Sequence, residues 1–343
     1  MRLIKGIVSQ NSVDGFKFKV DINSNNEDFY PGLSSSGTYN FTVDWGDGNE
    51  DTITSYNQAE ATHTYVSNGE YIVTITGSLS HWQMKDGDAN IHKDKYLEII
   101  SWGESGILQD MTNAFYQAFS LSTLPEDPVP DSVTTLLQSF LGCSSLLSIP
   151  SNLLDDVLSI PATGIFLTSG VTTIPDNFGQ NSNVTNIFRA FDLCNALLSV
   201  GNNFFENSNI DNAERCFEAR NALTTIGDNF LANCNPTSSK TVAEVFNNCS
   251  NLTTVGSGFT ENSGFVDYRE AFIGCSSLTA LPNIVGADSV PIFTQTFDMP
   301  TTNSVSGSAQ ELWNDYPSAT LFANCFDACT GLSNYASIPG SWK

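Results

Sequence analysis

The 343-residue chain is short of positive charge, with 13 Lys and Arg against 37 Asp and Glu. A formal charge of −24 keeps it soluble and leaves no basic patch for nucleic acid or an anionic membrane. The imbalance deepens along the chain, residues 97–343 holding six basic residues and 24 acidic ones. No apolar run approaches the roughly 20 residues of a membrane span. The opening "MRLIKGIVSQNSVDG" lacks the apolar stretch and cleavage site of a secretory leader. Cytoplasmic residence, or release by another route such as lysis within a virus particle, is the expectation. Histidine is scarce too, at three residues, all in the first 92.

Catalytic signatures are absent: no GxSxG, HExxH, P-loop, or GxGxxG after a strand. The paired carboxylates Glu126–Asp127 and Asp155–Asp156 fall in polar turns, where charge is solvated. A glycosidase needs two carboxylates facing across a cleft. The chain is therefore expected not to be an enzyme, and to need no cofactor. His81 and His92, ten residues apart in the polar stretch Ser78–Lys95, are read as solvent-facing in a long loop.

Eight cysteines are present: Cys143, Cys194, Cys216, Cys234, Cys249, Cys275, Cys325 and Cys329. They form no CxxC pair and no zinc spacing. Most share one repeat column with Ala118, Ser169 and Arg220, so a small buried residue is expected there rather than a metal ligand.

What is abundant is phenylalanine, 23 residues, and it recurs in register. Phe115, Phe140, Phe166, Phe191, Phe217, Phe246, Phe272, Phe297 and Phe326 are separated by 25, 26, 25, 26, 29, 26, 25 and 29 residues. The unit reads F-x-x-C-x-x-L-x-x-[IV]-[PG]-x-x-[FL]. A period in the twenties implies stacked supersecondary units, each unable to bury its apolar face alone. "LTTI" (223–226) reads as a brief strand that Pro or Gly then ends. In "NVTNIFRAFDLC" (183–194), Val184, Ile187, Phe188 and Phe191 are spaced as one helical stripe.

Before the repeats, to about residue 96, the pattern is that of antiparallel strands. "FKFKVDI" (16–22) and "YNFTVDWGDG" (39–48) alternate apolar and polar residues. Asn68–Gly69 turns into a strand with Tyr71, Val73 and Ile75 on one side. Trp45 is placed in the core of a small β-sandwich.

"VDWGDG", "HTY" and "GEYIVTI" together resemble the PKD-type immunoglobulin-like domain. The resemblance covers about 40 residues and implies a mainly structural motif. Asp44 and Asp47 are weak calcium candidates, the alternative being that they hold the turn through backbone N–H groups. The repeat resembles the leucine-rich repeats of the BspA-like surface proteins, A-F-x-x-C-x-x-L-x-x-I-x-I-P, over about 230 residues. Ile165–Pro175 departs by lacking one residue and the Cys. The unit at Phe297 departs by a polar loop. The order of a PKD-like domain, such repeats and a closing "IPGSWK" looks like the phage- and prophage-encoded members.

The expected fold is mixed: a PKD/Ig-like β-sandwich over 1–96 and a leucine-rich-repeat solenoid over 97–343. The solenoid is expected to have about eight ~26-residue repeats and a C-terminal cap. The expected function is a non-enzymatic virion protein, a head or tail decoration or fibre. It would dock by one domain on capsid, portal or tail proteins and present a leucine-rich-repeat surface for adhesion to host or environment, with host glycan or protein as the partner there. The alternative is a bacterial cell-surface adhesin or protein-interaction module. Nucleic acid and membrane insertion are not expected. Candidate contacts are the Ser and Thr between Leu and Ile of each unit: Ser148, Thr172, Thr173, Ser199, Thr224, Thr225, Thr253, Thr254 and Thr279. These equally suit a merely solvated strand. The terminal aromatics Trp313, Tyr316, Tyr335 and Trp342 are read as an exposed patch or as packing of the cap.

Overall fold

The computed structural model describes residues 15–84, 92–158, 160–219, 221–237, 240–288 and 290–343. It is rich in short β segments and poor in helix, and its main sheet is open rather than closed into a barrel. The N-terminal strands are β1 (Phe16–Ile22), β2 (Glu27–Phe29), β3 (Tyr39–Asp44), β4 (Glu50–Ile53), β5 (His63–Tyr65) and β6 (Gly69–His81). They are followed by β7 (Tyr96–Ser101) and β8 (Leu108–Asp110). The main sheet runs β4-β3-β6-β1-β7, with β8 joined to β6, while β2 and β5 pair separately. Alternation in the sequence becomes alternation in burial: Phe16, Phe18, Val20 and Ile22 of β1 face the core. Trp45 is fully buried. Gly46 has φ +81°, and a Cβ there would lie 2.5 Å from the Ile72 carbonyl oxygen.

The stretch 78–95, expected as a loop, is largely structure. Ser78–His81 completes β6, and Lys93–Lys95 is a 3-10 turn; residues 85–91 lie outside the described residues. Trp82 and Met84 are fully buried. Lys95 is also buried, its Nζ 2.6 Å from Glu27 Oε1. Polar neighbours in the sequence concealed these anchors.

β7 begins at Tyr96 and extends the main sheet: it pairs with β1 on one side, and Glu98 bridges in parallel to Thr123 on the other. β6 carries a second connection, through Asp110 of β8 to Thr135. From there the chain rises coil upon coil. Parallel bridges link Pro161, Asn186, Asn212, Thr241, Asp267, Ile292 and Leu321 in turn. On another side, β9 (Thr173–Ile174), β10 (Ser199–Val200), β11 (Thr225–Ile226) and β12 (Thr254–Val255) form a parallel sheet.

The segment expected as a helix, 183–194, is not one. Among the described residues the only α-helix is α1 (Leu312–Asp315). Backbone bonds in the coils alternate instead. Ala114, Tyr116 and Ala118 N–H close turns onto Met111, Asn113 and Phe115 carbonyls at 3.1, 3.2 and 3.1 Å. Asn113, Phe115 and Gln117 N–H donate to Leu137, Ser139 and Leu141 of the next coil at 2.8, 2.7 and 2.7 Å. The first and third of these turns have a left-handed residue at their third position, Asn113 and Gln117 here, and Gln138 and Gly142, Arg189 and Leu193, and Glu244 and Asn248 in other coils. Burial then falls at Val184, Ile187, Ala190, Cys194, Leu197 and Val200, every third residue or nearly so, with Phe191 buried beside Ala190, while Phe188 is only partly buried. A helix would have buried residues at a spacing near 3.6.

The Phe column fills the axis. Ring centroids from Phe115 through Phe140, Phe166, Phe191, Phe217, Phe246, Phe272, Phe297 and Phe326 lie 5.2–5.5 Å apart. A shorter column, Phe178, Phe204, Phe230 and Phe259, stacks beside it. Phe246→Ala removes a ring held between two others and is expected to cost about 3–5 kcal/mol in chemical denaturation. A loss under about 1 kcal/mol would show that the column does not carry the stack.

Candidate binding surface

The outer segment of each coil has three positions with different fates. In the coil after Leu223, Ile226 is buried and Thr224 Oγ1 donates to the Leu198 carbonyl of the preceding coil at 3.1 Å. Thr172, Thr253 and Thr279 do the same to Leu147, Thr224 and Thr253, at 3.0, 3.0 and 3.1 Å. Hydroxyls of this first column clip one coil to the next. Those of the second column face outward. Thr173, Ser199, Thr225 and Thr254 stand opposite one another in parallel register. No hydrogen bond within the described residues engages the Thr173, Ser199 or Thr225 hydroxyl, and Thr254 reaches only Thr253 Oγ1, at 3.5 Å. Ser148 is exposed in the coil before them. Strand spacing sets the rank at about 4.8 Å per step. Leu147 and Leu198, both about half exposed, flank it.

Other polar rows are consumed by the backbone. Asp176, Asn202 and Asp228 Oδ1 accept the N–H of Asn202, Asp228 and Ser257 at 2.7, 2.8 and 2.7 Å. Several cations of the stack face carboxylates: Arg215 binds Glu244 through two nitrogens at 2.9 and 3.0 Å, Arg269 lies 2.7 Å from Asp267 and Lys240 2.9 Å from Asp288. Glu126, Asp127, Asp155 and Asp156 are exposed in turns.

Asp44 and Asp47 are engaged in the turn they belong to. Asp44 Oδ1 accepts the Gly46 N–H at 2.8 Å. Asp47 Oδ1 accepts the Asn49 N–H at 3.1 Å, and its Oδ2 takes His63 Nε2 at 2.8 Å. His63 lies flat on Trp45, centroids 4.9 Å apart. Burial raises the Asp47 carboxyl, but the bonds from His63 and Asn49 outweigh it and hold it below its usual range. Among the described residues no group of three His, Cys, Asp or Glu side chains is placed to hold a metal.

His81 and His92 are not the solvent-facing residues the sequence led one to expect. His81 sits between Asp110 Oδ2 at 3.2 Å and Gln83 Oε1 at 2.5 Å, with about a tenth of its side chain exposed. His92 stacks on Phe29. Asp110 and Phe29 lie far from them in sequence, and no local pattern announces these contacts.

The terminal aromatics pack the end of the stack. Trp342 is buried and lies on Phe322, centroids 4.5 Å apart. Trp313 meets Phe326 and Trp342 edge-on. Tyr316 Oη accepts from Ala287 N–H and donates to the Ile284 carbonyl, both at 3.2 Å. Tyr335 is half-buried under Lys343.

All eight cysteines are buried and none is in a disulfide. Cys143, Cys194, Cys249, Cys275 and Cys329 each donate Sγ–H to the carbonyl of a Phe in the preceding coil, at 3.0–3.2 Å. Burial pushes the Cys234 thiol up to about 11 and Cys329 up to about 12.

No family model and no curated protein matches the chain. Two solved structures are similar to it. One is a leucine-rich repeat protein from Bacteroides ovatus, 17% identical, covering 89% of this chain and 97% of that one, with a TM-score of 0.28. The other is a leucine rich cell surface protein from Faecalibacterium prausnitzii, 16% identical, covering 76% and 89%, with a TM-score of 0.24. Superposition that loose leaves function to be read from this chain's own geometry.

Two outcomes follow. Thiol titration of the native protein should find no reactive cysteine, and all eight after denaturation. Asp47→Asn should cost about 1.5–3 kcal/mol at neutral pH. Because the folded carboxyl titrates below its unfolded value of 3.8, that contribution is complete above pH 3.8 and fades as the pH falls further. Denaturation at neutral and acid pH should show variant and parent converging.

Proposed function

We propose that the chain is a non-enzymatic adhesion or protein-interaction module of leucine-rich-repeat type. In this reading residues 1–96 are a PKD-like β-sandwich and 97–343 a BspA-like solenoid of about eight ~26-residue repeats. The observation that carries it is the register of Thr173, Ser199, Thr225 and Thr254 on the outer sheet, with hydroxyls left over after the backbone is satisfied. A rigid rank of donors and acceptors meets a partner's backbone or a glycan chain at several points at once, and weak single contacts add up along it. The flanking Leu147 and Leu198 give the same face an apolar margin.

The place we propose is a bacterial surface, the setting named for the Faecalibacterium protein. Nothing in the fold or in the similar proteins speaks for the virion role, and it ranks below this one.

Fluorescently labelled full-length protein, incubated with intact cells from the source culture, is expected to bind. The triple variant Thr173→Glu, Ser199→Glu, Thr225→Glu, which leaves every buried column intact, should bind at least tenfold more weakly with an unchanged melting profile. Equal binding by the variant would remove the ladder face from the account. Antibody label on purified phage particles, and none on cells, would restore the virion role.

A further inference from the structure

Away from the ladder face, the N-terminal strands enclose a cavity of about 500 Å³. It opens between the end of β2, the connection from β4 to β5, and His92, and is lined by Asp28, Tyr30, Tyr56, Asn57, Thr62 and His92, with Gln58. Its walls are fixed from behind. Tyr30 Oη donates to the Tyr56 carbonyl at 2.8 Å, tying the connection to the strand. Gln58 Oε1 accepts Thr54 and Ser55 N–H at 2.7 and 2.9 Å, and its Nε2 donates to the Thr52 carbonyl at 2.9 Å. His92 stacks on Phe29 at 26° and accepts the Tyr30 N–H on Nδ1 at 3.3 Å.

That last bond sets the tautomer: with Nδ1 accepting, the neutral ring carries its proton on Nε2. Among the described residues Nε2 has no partner, and neither do Tyr56 Oη, Asn57 Nδ2 or Thr62 Oγ1. Asp28 spends Oδ1 on the Thr64 hydroxyl at 2.5 Å and keeps Oδ2 free. Donors from two separate segments and one carboxylate oxygen from a third thus line one hollow without a protein partner.

We propose that this hollow binds a neutral sugar. The charge selects the class: no Lys or Arg lines the cavity and Asp28 does, so a phosphate or carboxylate would enter unpaired beside a like charge. A sugar hydroxyl donates and accepts at once, which matches a wall offering both. The half-buried Tyr56 ring gives the C–H face of a pyranose an apolar surface. The volume falls within the range of about 300–1,000 Å³ typical of small-molecule sites. The proposal stands independently of the ladder face, whose residues take no part in it.

The test is ¹H–¹⁵N NMR of the full-length protein titrated with methyl glucoside, methyl galactoside, methyl mannoside and methyl N-acetylglucosaminide, each to about 10 mM. At least one is expected to shift the Asn57, Thr62 and His92 signals. Asn57→Ala, an exposed and structurally mild change, and Tyr56→Ala should each weaken that response about tenfold, the loss of one good contact. Thr225→Ala should leave it unchanged. No shift with any of the four sugars overturns the proposal, as does a shift that survives both pocket variants. A response to inorganic phosphate or calcium chloride in their place overturns it too.

Discussion

Everything above residue 110 depends on one arrangement: each coil's alternate N–H groups donate to the next coil while a phenylalanine ring lies on the ring below. The hydrogen bonds fix the rise, and the rings fill the space that this rise leaves. Neither suffices alone. Backbone turns with half their donors pointing along the axis would be unsatisfied without a neighbour, and a buried unpaired N–H costs about as much as a lost hydrogen bond. A ring column without the bonds would have no register. Together they make stability a matter of neighbours, each coil supporting the one on either side.

This arrangement explains the chain's choice of small polar residues inside. The Phe115, Phe166 and Phe246 carbonyls each close a turn and still have a lone pair facing the next coil. Cysteine meets it with a weak donor on an otherwise apolar side chain, and Ser139 and Thr296 serve a neighbouring column through Oγ bonds to Met111 and Tyr268 carbonyls. The thiols are there for packing and a single weak bond, deep below the reach of solvent. Polar groups that resemble ligands at first sight, such as Asp176 and Asp228, are part of the same satisfaction of the backbone.

The Phe period was plain in the sequence because rings must meet at every coil, and any slip would leave a void. The conformation between the rings was not. Its left-handed positions are shared among Asn, Gln, Arg, Glu, Ala and others, with Gly in only some coils, so no regular glycine pattern advertises the turns, and a spacing of three imitates a helical stripe over a dozen residues. The outer Ser and Thr were visible as a set, but only the structure separates Thr224, spent on a carbonyl, from Thr225, which faces outward. The cavity at Tyr56 and His92 had no sequence signal at all, being assembled from three segments that lie far apart along the chain. His81 and Lys95 were hidden for the same reason.

β6 and β7 precede the stack in the chain and are also its foundation, since one continues into the Asp110–Thr135 bridge and the other into Glu98–Thr123. A ribosome therefore delivers the template before the material that will be laid on it. Each later stretch of some two dozen residues emerges beside an edge already in place, needs contacts only with its immediate predecessor, and closes a short loop rather than a long one. The growing end is the unpaired edge of the stack at any moment, and Trp342, lying on Phe322, covers the coil at Phe326.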